Sequence, residues 1–113
     1  MKLEITDLPR RFQVGEHIIK DYGKIQLDDK EMVSFQTKSG KEYDFVAKDW
    51  GFYATPSING RLNKEGFKTA IIQNRYNKIY LTVVEIEKLD LFYQYLENDN
   101  QKVMFWLDEW FGK

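Results

Sequence analysis

Two hairpin patterns do most to limit what this chain can fold into, one in residues 24–48 and the other in residues 67–85. In the first, short alternating segments flank Lys38-Ser39-Gly40-Lys41, a tight turn in which Gly40 supplies a positive φ. In the second, two segments rich in β-branched and aromatic residues flank a turn at residues 74–78. Successive hairpins of this kind predict an antiparallel sheet.

The hydrophobic period becomes helical after the second hairpin. Apolar residues three or four positions apart share one helical face: Ile86, Leu89, Phe92, Tyr93 and Leu96. This spacing predicts an amphipathic helix over residues 86–98, ended by Asn98-Asp99-Asn100. The chain is therefore expected to be an α+β protein, with an antiparallel sheet of five or six strands and this helix packed on one face.

The two ends of the chain have weaker patterns. Residues 10–14 fit a short strand, which Gly15 breaks. Near the other end, we expect a strand through Leu107 and then a short turn of helix. The alternative there is one helical face, formed by Val103, Trp106, Leu107 and Trp110.

Composition bounds the class of protein. The 113 residues are 42% hydrophobic and 31% charged, which is typical of a single globular domain over residues 1–113. There is no cysteine and one histidine, so disulfides, iron–sulfur and zinc-ribbon sites and thiol nucleophiles are excluded. We therefore expect no metal and no cofactor. The net charge of −1 argues against nucleic acid or an anionic membrane as the main partner.

No targeting signal is apparent in the sequence. Glu4 and Asp7 interrupt the first residues, where a signal peptide needs an apolar run. The longest purely apolar run, Val103 to Leu107, has five residues, whereas about 20 are needed to span a bilayer. A cytoplasmic location is therefore expected.

The most unusual segment lies between the two hairpins, at residues 48–66. Thr55 is a suitable N-cap and Pro56 a suitable first helical residue, so a short helix is expected over residues 56–65. Ile58 and Leu62 would then face the core, four positions apart. Connections this long are often functional.

A binding hypothesis follows from this segment. The backbone N–H groups at the start of the helix, with the hydroxyls of Thr55 and Ser57, would hold a phosphate or carboxylate that Arg61 clamps. Trp50 and Tyr53 would form an apolar or stacking wall. Residues 55–80 support the idea, because they carry five basic side chains and one acidic side chain, a net charge of +4. The predicted ligand-binding residues are Trp50, Tyr53, Thr55, Ser57, Asn59 and Arg61.

A purely structural interpretation stays open for the same residues. In it, Trp50, Phe52 and Tyr53 fill one end of the sheet, and Thr55-Pro56 caps a helix without binding a ligand. Large core truncations are costly, so this interpretation predicts that Trp50→Ala would be strongly destabilising.

The sequence is most consistent with a small non-catalytic binding or accessory protein. It would take an anionic small ligand or a protein partner at the Trp50–Arg61 segment. The alternative is a small enzyme that uses the same pocket, with Asp49 or Tyr53 as acid–base and Arg61 as charge stabiliser. A further alternative is binding of single-stranded nucleic acid through Tyr76 and Tyr80, which lie among lysines and an arginine.

The aromatic C-terminus is the second candidate contact surface. Four aromatic residues fall within seven positions, which is typical of core closure or of interface anchors. The interface candidates are Phe105, Trp106, Trp110 and Phe111. A homodimer or a protein partner would use them.

Overall fold

The structure is a computed structural model that describes residues 1–110, with side chains through residue 109. It confirms the α+β class, since most residues are in antiparallel strands and the helices are few and short. The described residues contain eight strands rather than five or six. The strands are β1 Lys2–Val14, β2 His17–Gln26, β3 Met32–Gln36, β4 Glu42–Lys48, β5 Gly51–Ala54, β6 Phe67–Gln73, β7 Ile79–Glu85 and β8 Lys102–Trp106. The helices are α1 Arg61–Lys64, a 3-10 turn Ile86–Lys88, α2 Leu89–Asn98 and α3 Leu107–Trp110.

The chain divides into two compact units. Unit 1 comprises residues 1–33 and 45–53, and unit 2 comprises residues 34–44 and 54–113. Neither unit is one continuous stretch of sequence. The expected single domain over residues 1–113 stays a prediction.

The longest hairpin of the fold lies in unit 1 and is absent from the sequence-based expectation. β1 and β2 pair antiparallel from Lys2↔Gln26 to Val14↔His17. Gly15, expected only to break a strand, supplies the turn with a φ of 60°. The pairing slips between Ile5 and Arg10, where Pro9 lies. Proline is tolerated in a strand at such an irregularity because it has no N–H to donate.

The first predicted hairpin appears as part of a three-stranded sheet of order β3-β4-β5. Its turn is the expected one, with Gly40 at a φ of 92° and its N–H donating to the Thr37 carbonyl. On β4, Tyr43 and Ala47 are buried. Residues 24–26, expected to open this hairpin, instead belong to β2.

The second predicted hairpin forms with the expected bounds in unit 2. β6 is the centre of a sheet of order β7-β6-β8, and both neighbours run antiparallel to it. α2 packs on one face, where Leu96 meets Ala70 and Ile72. The period-based prediction of a helix over residues 86–98 is therefore confirmed, with its first turn a 3-10 turn.

The short helix expected over residues 56–65 is much shorter than predicted. α1 begins at Arg61, and its N-cap residue is Gly60 rather than Thr55. The chain turns first at Ser57, whose carbonyl accepts from the Gly60 and Leu62 N–H groups and whose hydroxyl accepts from the Arg61 N–H. Pro56 is fully buried as a packing residue and starts no helix.

Candidate functional site

The β1–β2 ribbon of unit 1 has two chemically different faces. Side chains directly opposite in an antiparallel pair share a face, and alternate residues along a strand point to opposite faces. By the observed register, one face is mainly apolar: Leu3, Ile5, Phe12, Val14, Ile19 and Ile25. The other face carries mostly polar and charged residues: Lys2, Glu4, Arg11, Gln13, Lys20 and Lys24. Ile18 and Tyr22 also lie on this second face.

The apolar face of the ribbon is exposed to solvent. Its residues Leu3, Ile5 and Val14 each leave more than half of their surface accessible. A two-stranded ribbon on its own is only marginally stable in water. A long apolar face exposed to solvent is unusual in a monomeric protein and is typical of an interaction surface. Sequence patterns alone do not reveal this surface, because the slip at residues 6–9 breaks the strict alternation of apolar and polar residues.

One ion pair lies in the middle of the ribbon. The Arg10 guanidinium lies 3.1 Å from the Asp21 carboxylate, on the same face as the apolar residues. The Gly23 N–H also donates to Asp21, over 3.0 Å. This backbone hydrogen bond, followed by that from Arg10, lowers the pKa of the Asp21 carboxyl below its ordinary value. Arg10 also lies 4.9 Å from the centre of the Phe12 ring, a cation–π contact.

The predicted binding segment divides between the two units. Trp50 and Tyr53 belong to unit 1, and their rings stack with centroids 6.4 Å apart and planes at 25°. Trp50 is 69% exposed, and Phe52 and Tyr53 are exposed as well. These three aromatic residues therefore contact solvent rather than fill the end of a sheet.

The remaining predicted ligand residues belong to unit 2. Thr55 lies within hydrogen-bonding distance of Arg61, whose Nη2 donates to the Thr55 Oγ1 over 3.1 Å. The Arg61 Nη1 lies 3.4 Å from the Glu65 carboxylate. Ser57 and Asn59 are exposed in the turn before α1. An anion at Arg61 would therefore compete with a carboxylate that already faces the guanidinium.

The two acid–base candidates are surface groups. Asp49 is exposed in the turn between β4 and β5, and its backbone N–H donates to Asp29 over 3.1 Å. Tyr53 is exposed beside Trp50. An active site normally holds its acid–base groups in a cleft that excludes water.

The aromatic C-terminus of the described chain has a mixed role. Trp106 packs between sheet and helix, with its ring centroid 5.7 Å from that of Phe92 and the Lys68 ammonium 4.5 Å above it. Phe105 points to the other face of the sheet and is exposed. The backbone of Trp110 ends α3, whereas its side chain and Phe111 lie outside what the structure describes.

Comparison with known protein families, with curated proteins and with solved structures found no match for this chain. None of the helices within residues 1–110 has the length and apolar content to cross a bilayer. Among the described side chains, no three histidine or carboxylate groups lie where they could hold one metal ion.

Proposed function

We propose that this chain is a small non-catalytic, cytoplasmic protein-binding module, and that unit 1 makes the contact. The observation that carries the proposal is the exposed apolar face of the β1–β2 ribbon. A protein partner with an apolar strip would cover it, and the polar face would stay in water.

The physical basis of the proposal is the free energy gained when a partner removes exposed apolar surface from water. Each square ångström removed from water stabilises a complex by about 25 cal/mol, before the cost of association is subtracted. Six apolar side chains lie along one side of this ribbon, so its full coverage would contribute several kcal/mol. The ribbon itself would gain the packing layer that a two-stranded sheet lacks.

The predicted aromatic residues support the same proposal. Trp50, Phe52 and Tyr53 are exposed on unit 1, and tryptophan and tyrosine are the side chains most often found as interface anchors. Arg61, by contrast, already contacts Glu65 and Thr55. Of the two ligand classes considered for the Trp50–Arg61 segment, the geometry therefore favours a protein over an anionic small molecule.

The test is photocrosslinking from each face of the ribbon inside the cells that make the protein. Benzoylphenylalanine placed at Phe12 probes the apolar face, and the same group placed at Lys20 probes the polar face. We expect one discrete protein adduct from position 12 and none of that size from position 20. Adducts of equal yield from both positions, or none from position 12, would refute the proposal.

Two adjacent isoleucines provide a matched pair of variants. Ile19 lies on the apolar face and Ile18 on the polar face, and both are exposed. With the crosslinker at position 12, Ile19→Glu should abolish the adduct and Ile18→Glu should preserve it. The opposite pattern would show that the partner contacts the polar face.

A further inference from the structure

β7 is an edge strand, because its only partner among the described strands is β6. In an antiparallel pair, residues whose main chain bonds the partner strand alternate with residues whose main chain points away from it. At one end of this pair, the Asn74 N–H donates to the Lys78 carbonyl. At the other end, the Ile86 N–H donates to the Gly66 carbonyl. Even-numbered residues of β7 therefore bond β6, and odd-numbered residues direct their N–H and C=O groups outward.

The outward groups of Ile79, Leu81 and Val83 form the free edge of β7. Within the part of the chain that the structure describes, no backbone hydrogen bond satisfies them. The side chains here are exposed as well, and Leu81 is 63% exposed. Tyr80 points to the opposite face of the sheet and is 51% exposed. Solvent therefore reaches this part of β7 from both faces.

The free edge lacks the features that keep edge strands apart. Proteins protect exposed edges with charged side chains, with proline or with a bulge. Residues 79–84 contain no charged residue and no proline, and their pairing with β6 is regular throughout. The ribbon differs, since β1 contains Pro9 and a slip in its pairing. β7 is therefore suited to accept a further strand through its main chain.

We propose that the free edge pairs with the free edge of a second copy of this chain, antiparallel about a two-fold axis at Leu81. Only an odd-numbered residue can lie on the axis, because only these direct main-chain groups outward. Leu81 is the one whose odd-numbered neighbours, Ile79 and Val83, are both apolar. Two three-stranded sheets would join into one of six strands. This contact lies in unit 2 and is independent of the ribbon of unit 1.

The axis at Leu81 matches side chains as well as main-chain groups. About six hydrogen bonds would form, two in each of the residue pairs 81–81, 79–83 and 83–79. Side chains of directly opposed residues are neighbours, so Leu81 meets its own counterpart and Ile79 meets Val83. The nearest charged residues are Lys78 and Glu85, outside this stretch. The axis carries the two copies of Lys78 to opposite ends of the pair, so like charges do not meet.

The pairing ends before the part of β7 that its own unit covers. Glu85 accepts a hydrogen bond from the Ser39 hydroxyl and lies 3.5 Å from the Lys88 ammonium. On β6, the Phe67 ring lies against Tyr43, with centroids 5.8 Å apart. A strand added beside β7 at residues 79–83 needs neither face of the sheet to be bare. Edge pairing is therefore compatible with these contacts.

The contact is small. Five residues from each copy bury less than the roughly 1,200 Å² at the lower end of standard interfaces. We therefore expect a weak dimer, with a dissociation constant of about 100 μM.

The first experiment measures the mass of the purified full-length chain by sedimentation from about 10 μM to about 1 mM. The mass should rise from 13.6 kDa toward twice that value as concentration increases. A wild type that stays at 13.6 kDa up to the highest concentration would overturn the proposal.

Hydrogen exchange shows whether the main chain of β7 makes the contact. Between about 50 μM and 1 mM, exchange of the Ile79, Leu81 and Val83 amides should slow about threefold, as the dimer fraction rises. The Tyr80 and Thr82 amides bond β6 in the monomer already and should not change. A dimer in which exchange at Leu81 does not slow would be joined elsewhere and would contradict the proposal.

Two lysine variants separate the edge contact from a general effect of charge. Leu81→Lys places two ammonium groups directly opposite each other at the axis, so it should stay monomeric with an unchanged circular dichroism spectrum. Tyr80→Lys is the matched control, because this neighbouring residue would lie opposite Thr82 of the other copy. It should still dimerise. Equal dimerisation of the two variants, or equal loss, would count against the axis at Leu81.

The ribbon provides a further control. Ile19→Glu should leave the dimer intact, since Ile19 belongs to unit 1. Loss of the dimer in this variant would show that the ribbon, not the free edge, joins the two copies.

The register has its own test, since the chain contains no cysteine and single cysteines can be placed freely. Ile79→Cys and Val83→Cys chains are mixed and treated with a short bismaleimide. A product joining position 79 of one chain to position 83 of the other should exceed both products that join like positions. A preference for 79–79 and 83–83 products would overturn the proposed axis.

Discussion

At the scale of single residues, the structure separates two neighbours that the sequence placed in one short helix. Leu62 is fully buried, whereas the Arg61 side chain is about half exposed and contacts Glu65 and Thr55. Burial of a leucine is worth far more than a surface ion pair, which solvent screens. Leu62 therefore holds this segment in place, whereas Arg61 is the residue that the binding hypothesis selects for its charge.

This difference gives a stability prediction. Leu62→Ala should lower the free energy of unfolding by about 2–5 kcal/mol, because it leaves a cavity at a fully buried site. Arg61→Ala should lower it by less than about 0.5 kcal/mol, the usual contribution of an exposed pair four residues apart. Urea unfolding of both variants and the wild type measures this. An Arg61→Ala cost as large as that of Leu62→Ala would show that the guanidinium holds the turn together.

A second residue-scale prediction concerns acid. The pKa of Asp21 is lowered in the folded chain, first by the Gly23 N–H and then by Arg10. A lowered folded pKa means that the contribution of Asp21 to stability is present above its unfolded value of about 3.8 and is lost as pH falls through the folded value. Hydrogen exchange of the Gly23 amide should therefore lose protection in acid, relative to the intrinsic rate. In Asp21→Asn the side-chain oxygen can still accept from the Gly23 N–H but no longer titrates, so the protection should not change with pH. Protection that is lost in acid in that variant would contradict the assignment.

At the scale of secondary-structure elements, the sequence predicts a strand pair only where the residue pattern along each strand is uninterrupted. The hairpin at residues 67–85 has β-branched and aromatic residues in both strands and a compact turn, so its bounds were predictable. In the ribbon, Ile5 and Arg10 lie five positions apart yet share a face, because the pairing slips between them. No period-two pattern spans such a slip.

The helix expected over residues 56–65 was too long because Thr55-Pro56 resembles a helix start, whereas Pro56 is buried and the chain turns again before α1 begins.

Beside the slip, the two strands of the ribbon approach each other closely at one glycine. Gly23 has a φ of 127°, and a Cβ added there would lie 1.8 Å from the Glu4 carbonyl oxygen. The partner atom belongs to the backbone of β1, so it cannot swing aside. Gly23→Ala should therefore disrupt the β1–β2 pairing and abolish hydrogen-exchange protection in both strands.

Gly15 is the matched control for this substitution. It has a φ of 60° and no atom within 4 Å of an added Cβ. Asparagine tolerates that left-handed conformation better than most residues. Gly15→Asn should leave the ribbon paired, and equal loss of protection in the two variants would show that the ribbon is sensitive to any change in its glycines.

At the scale of the whole molecule, burial is unevenly shared between the two units. Among the described side chains, every buried residue except Ala47 belongs to unit 2. The core of Ala70, Ile72 and Leu96 lies within that unit. The surfaces on which the proposed function rests are therefore largely in the part of the chain that contributes least to the core, as expected where apolar residues are kept for a partner.

This arrangement predicts the effect of deleting the ribbon. A chain without residues 1–26 should keep the methyl resonances of Ile72 and Leu96 at their wild-type positions in two-dimensional NMR, since unit 2 buries both within itself. Its unfolding midpoint should fall by only a few degrees, because the deleted strands bury little apolar surface. The photocrosslinked partner of the full-length chain should no longer bind the shortened one. Collapse of the Ile72 and Leu96 resonances on deletion would instead show that the ribbon is part of the folding core, and its exposed face would then need a structural explanation.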